Sequence, residues 1–170
     1  MDKRPVKDST SVLVHWMGVT DTNNAGFVHG GTVLKLCDEA AGIAAIRHSS
    51  RRVVTAGLDR VTFVEPIEQG DLVTLTASVN AVWRTSMEVG VRVTAERPRG
   101  ANTAPRHTNT AYFTMVALDD DGRPSPVPPL RSESEDEQRR EREAQVRRRN
   151  RLTEREELLR HRQAVGEKVS

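Results

Sequence analysis

Within the run Asp21 to His48, DTNNAGFVHGGTVLKLCDEAAGIAAIRH, three groups have types and spacing suited to chemistry. Asn23 lies in a polar loop, Gly30 and Gly31 mark where that loop gives way to apolar sequence, and Asp38 stands amid the apolar run. A carboxylate can take a proton from water or attack an electrophile itself, and sequence does not separate the two. The first turn of a helix carries unpaired N–H groups and the positive end of the dipole. Two glycines there let an oxygen that gathers negative charge approach without meeting a Cβ. Each group also has a plainer use. Paired glycines permit a sharp entry into a helix, a loop asparagine closes an Asx-turn, and a lone aspartate can cap or pair structurally.

The elements that must position these groups follow from periodicity. From Thr32 the chain is rich in Ala and Leu with no proline, which predicts a helix. Apolar residues fall on nearly every side of it, so it is expected to be buried. At about 100° per residue, Gly31, Leu34, Asp38, Ala41, Gly42 and Ala45 share one stripe, leaving room beside the acid. Strands are predicted at Ser11–Met17, Val53–Val64, Leu72–Val82, the alternating segment from Met87, and His107–Leu118. Glu68-Gln69-Gly70-Asp71 and Asp119–Gly122 supply turns, and Pro98–Pro105 an excursion. The layout is α+β: one antiparallel sheet curled around one long helix. One sheet cannot enclose a helix apolar all round, so a dimer is expected to supply the second cover.

The 170 residues suit a domain plus an appendage. Residues 1–10 read as a tail, 11–123 as the domain, 124–130 as a Pro-rich linker, and 131–170 as a charged helical extension. That extension holds 12 Lys/Arg and 10 Asp/Glu, leaving 14 of each sign in residues 1–130. The neutral body argues against nucleic acid or membrane as partners. One cysteine, Cys37, allows no internal disulfide and reads as a small core residue. Lacking an apolar leader or an 18-residue apolar run, the chain is expected in the cytoplasm. His15, His48, His107 and His161 show no metal-ligand spacing. The extension reads as a solvated helix with Glu135/Arg139, Asp136/Arg140 and Glu143/Arg147 at i,i+4. Docking along a neighbouring subunit, or offering arginines to phosphates, are the alternatives.

Thr22-Asn23-x-x-Gly26-x-Val28-His29-Gly30-Gly31, then Asp38, then VVTAGLDRVTFVEPIEQGD, resembles the hotdog-fold acyl-CoA thioesterases over roughly Ser9 to Leu130. The resemblance is to the small bacterial broad-specificity hydrolases and the N-terminal half of the brain enzyme. It implies a hotdog fold, with a sausage helix inside a bun of strands. It also implies hydrolysis of acyl-CoA to a free fatty or other carboxylic acid and CoASH, with coenzyme A part of the substrate and no separate cofactor. Asp38 would be general base or nucleophile, Asn23 would orient water or the thioester carbonyl, and Gly30-Gly31 would hold the oxyanion. Thr55 would line the acyl or pantetheine path, and Arg84, Thr85 and Ser86 would lie near the pantetheine and nucleotide, although an ordinary strand and a hairpin turn need no such role. His29 would shape the loop. Asp38 sits seven residues, about 10 Å, beyond Gly31, so one carbonyl does not easily reach both in one protomer. The family shares the site across a two-fold dimer, usually within a trimer of dimers. The competing reading is an acyl-CoA-binding hotdog regulator without turnover.

Overall fold

The computed structural model describes residues 1–99 and 104–164. In chain order the elements are β1 (Arg4–Pro5), α1 (Val6–Ser9), β2 (Ser11–Trp16), α2 (Gly30–Ser49), β3 (Arg52–Leu58), β4 (Leu72–Val82), β5 (Ser86–Glu96), β6 (Arg106–Leu118), β7 (Leu130–Arg131) and α3 (Glu135–Ala164). Five strands form one antiparallel sheet in the order β2-β4-β5-β6-β3, and β1 pairs with β7 in parallel.

The sheet curls around α2. Met87, Val89, Val91, Val93 and Ala95 alternate onto the inner face of β5, each no more than 1% exposed. They meet α2 through Val33, Cys37, Ala40, Ala41, Ala44 and Ala45, all buried. Alanines on the contact face let helix and sheet approach closely, and burial pushes the Cys37 thiol up to about 12, so it behaves as a core residue. The opposite face of α2 is open. Gly31, Lys35, Asp38 and Glu39 are exposed and Ile46 is 49% exposed, so the expectation of burial on all sides fails within one chain. The predicted stripe is split, Ala41 and Ala45 against the sheet and Asp38 outside. At the far end, Ser50 takes a left-handed conformation (φ 54°), and Arg4 Nη1 donates to the carbonyls of Arg47 and His48 at 3.2 and 2.7 Å.

The predicted strand Val53–Val64 ends at Leu58. Beyond it regular pairing stops, with Asp59 N on Tyr112 O at 3.0 Å and Val64 N on Thr108 O at 2.9 Å as the remaining backbone ties to β6, and the Phe63 ring lies against Gly30. Register slips between Thr55 and Gly57 opposite β6, a bulge at Ala56. The long α3 opens on a capping box, Ser134 Oγ accepting from Glu137 N–H while the Glu137 carboxylate accepts from the N–H of Glu133 and Ser134. It is a solvated helix only from Leu152, beyond which Leu159 alone is not exposed as far as Gln163. It lies on the outer face of its own sheet, where Arg147 donates to Glu88 at 2.7 Å and stacks on Tyr112 at 3.6 Å. Arg151 reaches Asp59 at 2.7 Å, and Trp83 Nε1 donates to Gln145 at 3.1 Å. Of the three predicted i,i+4 pairs, Asp136/Arg140 and Glu143/Arg147 form, while Arg139 bonds Asp136 and Glu143 rather than Glu135.

Candidate active site

Asp38 projects from the open face of α2, and β3 supplies its partner. Thr55 Oγ1 donates to Asp38 Oδ1 at 2.5 Å and lies 3.4 Å from Met115 Sδ. The bulge immediately after Thr55 re-aims the strand at this point. Gly57 inside a strand pattern was the sequence signal for it. One carboxylate oxygen is thus engaged by a hydroxyl, and the side chain as a whole remains exposed.

A second group of residues gathers at the start of α2. The loop before it is held by antiparallel bridges, Thr22 to Val28 and Phe27 to Glu68. Asn23 Oδ1 accepts from Ala25 N and Phe27 N at 2.9 and 3.2 Å, so the side-chain oxygen closes an Asx-turn. Its amide N–H groups are what it can offer a ligand. Gly26 completes the turn at φ 83°, a conformation that L side chains rarely adopt. His29 is the N-cap residue, extended at φ −60° and ψ 131°; its own N–H donates to Asp21 O at 2.9 Å, and its ring makes no cap hydrogen bond. The N–H groups of Gly30 and Gly31 find no acceptor among the described residues, as a helix start requires. A Cβ added at Gly31 would meet nothing within 4 Å, so that approach is open; at Gly30 it would touch Phe63 at 3.4 Å.

These two groups are separate within one chain. Seven residues of helix put Asp38 about 10 Å from Gly31. Arg84 and Thr85 lie in the β4–β5 turn and Ser86 opens β5; Ser86 O accepts from Trp83 N and Thr85 O from Ala117 N. Ser86 lies opposite Val116, which lies opposite Val54, so this turn and Thr55 share one end of the sheet. Two strand spacings, about 10 Å, separate them. Arg84 is exposed there.

Sequence reasoning missed two ionic clusters. Glu88 falls on the polar face of β5, yet it is wholly buried beneath α3, with Arg147 and Asn80 as partners. Asp71, read only as a turn residue, is wholly buried between Arg97 and Arg106. Alternation within a strand assigns a face and cannot say that a distant helix will cover it. Among the described residues no cluster of His, Cys, Asp or Glu has metal-binding geometry, and no helix is long and apolar enough to cross a membrane.

Comparison with known proteins agrees with this architecture. Residues 25–101 match the thioesterase superfamily. A mouse cytosolic acyl coenzyme A thioester hydrolase is 40% identical over 130 residues, covering 76% of this chain. The chain spans about a third (34%) of that relative's length. An uncharacterised acyl-CoA thioester hydrolase of Bacillus subtilis is 39% identical over 97% of this chain and 92% of its own length. Among solved structures, a hexameric acyl-CoA thioesterase superposes with a TM-score of 0.86 at 35% identity, over 91% of this chain and 97% of its own. The acyl-CoA hydrolase of Staphylococcus aureus, in complex with butyryl coenzyme A, coenzyme A and coenzyme A disulfide, superposes with a TM-score of 0.87 at 30% identity, over 97% of this chain and 99% of its own. Alanine variants of that enzyme at an asparagine, an aspartate and a threonine are also among the matching structures. With sheet order, helix and near full-length relatives in agreement, the chain belongs to the hotdog-fold acyl-CoA thioesterase family.

Proposed function

We propose that this protein hydrolyses acyl-CoA thioesters, releasing a carboxylic acid and CoASH, at a site shared by two protomers. The observation that carries the reading is the Asp38–Thr55 pair, an acid held by a hydroxyl on a helix face that the chain leaves uncovered. The spacing of the Staphylococcus aureus alanine variants supports it. The replaced asparagine, aspartate and threonine stand 15 and 17 residues apart, as do Asn23, Asp38 and Thr55 here.

With Asp38 as general base, the carboxylate takes a proton from water as the water oxygen bonds to the thioester carbonyl carbon. The carbonyl oxygen becomes negative and is met by the N–H groups of Gly30 and Gly31. Collapse of the tetrahedral species breaks the C–S bond, and the leaving sulfur receives the proton from Asp38. Direct attack by the carboxylate gives an anhydride that water then opens, with the same overall balance. Thr55 fixes Asp38 Oδ1 and leaves the second oxygen for either task. Asn23 presents its amide N–H groups to the water or the carbonyl. Arg84, Thr85 and Ser86 meet the pantetheine and nucleotide. Because Asp38 and Gly31 lie about 10 Å apart on one helix, antiparallel pairing of two α2 helices closes the site; likeness to a hexameric acyl-CoA thioesterase and to a cytosolic relative supports a hexamer in the cytoplasm.

The test is thiol release from a panel of acyl-CoA chain lengths, run on the wild type and on Asp38→Ala. Turnover by the wild type and a fall of about 100-fold in the variant are expected. Near wild-type turnover in the variant removes Asp38 from the mechanism. Binding of acyl-CoA with no release by the wild type selects the non-catalytic regulator instead.

A further inference from the structure

The loop that carries Asn23 and leads into Gly30 rests on a short strip, Pro66 to Asp71. Val28 N donates to Ile67 O at 2.8 Å, Gln69 N to Gly26 O at 3.3 Å, and Phe27 bridges to Glu68. Ile67 is 5% exposed and anchors one end of the strip in the core. At its other end the strip is tied to Met17, Gly70 N donating to Met17 O and Met17 N to Asp71 O, at 2.8 and 2.9 Å. The strip belongs to no strand of the sheet, and besides these backbone ties side chains fix it from behind.

They do so through one carboxylate. Asp71 is wholly buried. Its Oδ1 accepts from Arg97 Nε at 3.0 Å, and its Oδ2 accepts from Arg106 Nη2 at 2.5 Å and from Glu68 N at 3.0 Å. Arg97 Nη2 also donates to Glu68 at 2.8 Å, and Arg106 Nη2 to Pro66 O at 3.0 Å. The two guanidiniums come from the residue just past β5 and from the first residue of β6, so the strip is clamped to the sheet at both Pro66 and Glu68. A neutral side chain at position 71 would leave two adjacent cations with Glu68 as their one remaining anion in the cluster, and they would separate.

We infer that Asp71 is a positioning residue for the reaction: through Arg97 and Arg106 it fixes the strip that sets the Asn23 loop and the Gly30–Gly31 helix start. This rests on the thioesterase reading above. Donors aimed at a developing charge act only when held in place, so a small displacement costs turnover more than substrate binding.

The experiment compares Asp71→Asn with the wild type by steady-state thiol release and by hydrogen exchange of the amides in residues 23–31, at a temperature where light scattering shows the same assembly for both. The expected result is a kcat about tenfold lower, a KM changed less than about threefold, and faster exchange in residues 23–31. A purely structural role would lower the melting temperature and leave kcat and that exchange as in the wild type, which overturns the inference. So would a lower kcat with unchanged exchange. Should Asp71→Asn not fold, Arg106→Lys keeps a cation on Asp71 while loosening Pro66, and the same two measurements decide. Wild-type protein that releases no thiol would defeat the thioesterase reading alone, with the exchange arm still judging whether Asp71 holds the loop.

Discussion

Thr55 holds Asp38 through its hydroxyl, and its loss is expected to show in turnover. A hydrogen bond to a charged group contributes about 1.5 kcal/mol, so Thr55→Ala should lower kcat about tenfold, while Thr55→Ser keeps most of it. Steady-state kinetics with one acyl-CoA checks both. Asp38 and the glycines were legible because an acid in an apolar helical run and paired glycines before it break the local pattern. Thr55 was ambiguous, since a threonine in a β-branched strand carries no such contrast; a cross-element hydroxyl-to-carboxylate bond exists only once β3 lies against α2. Asn23 shows the reverse. Its Asx-turn, the plainer reading from sequence, is present, and any catalytic use is left to its amide N–H groups.

At the scale of elements, the outer face of the sheet is a charged layer roofed by α3. Glu88 is wholly buried and Arg147 is its bidentate partner. Removing one member of a buried pair strands the other, so Glu88→Ala should destabilise by about 3 kcal/mol or more and make α3 an early target for proteases. Denaturant unfolding and limited proteolysis are the measurements. Beside this pair, Gly90 has its own constraint: an added Cβ would stand 2.6 Å from Asn80 Nδ2, and Asn80 is held against Glu88 at 3.2 Å. Gly90→Ala should therefore cost about 1–3 kcal/mol, read as a shift of the urea midpoint. Which strands pair, and in what order, was not read from the sequence, whereas element boundaries were mostly visible from alternation and turn residues. The end of β3 was not, because Val61-Thr62-Phe63-Val64 keeps strand-like composition after regular pairing with β6 has stopped. Nor was the seat of α3, whose few apolar residues disguise a contact made of guanidiniums, aromatic rings and carboxylates.

For the whole molecule, His48 sets a pH dependence. It is wholly buried at the end of α2, with Nε2 against Pro128 O at 2.9 Å. Burial holds its pKa below the ordinary 6.5, outweighing the Pro128 carbonyl; the Arg4 charge lowers it further and Asp8 opposes. The unfolded chain then binds a proton that the folded chain refuses. Stability is full above pH 6.5 and declines as pH falls below it toward the depressed native value. Thermal unfolding across that window should show the decline in the wild type, and His48→Gln, which retains a donor for Pro128, should flatten it.

The distance between Asp38 and Gly31 along one helix has a further consequence, for mixtures. If each reaction centre draws its acid from one polypeptide and its donors from the other, two dead variants can complement. Asp38→Ala and Gly31→Val chains, inactive apart, would regain about a quarter of wild-type turnover after unfolding and refolding together in equal amounts. Half of the random pairs are heterodimers, and each heterodimer keeps one unblemished centre of its two.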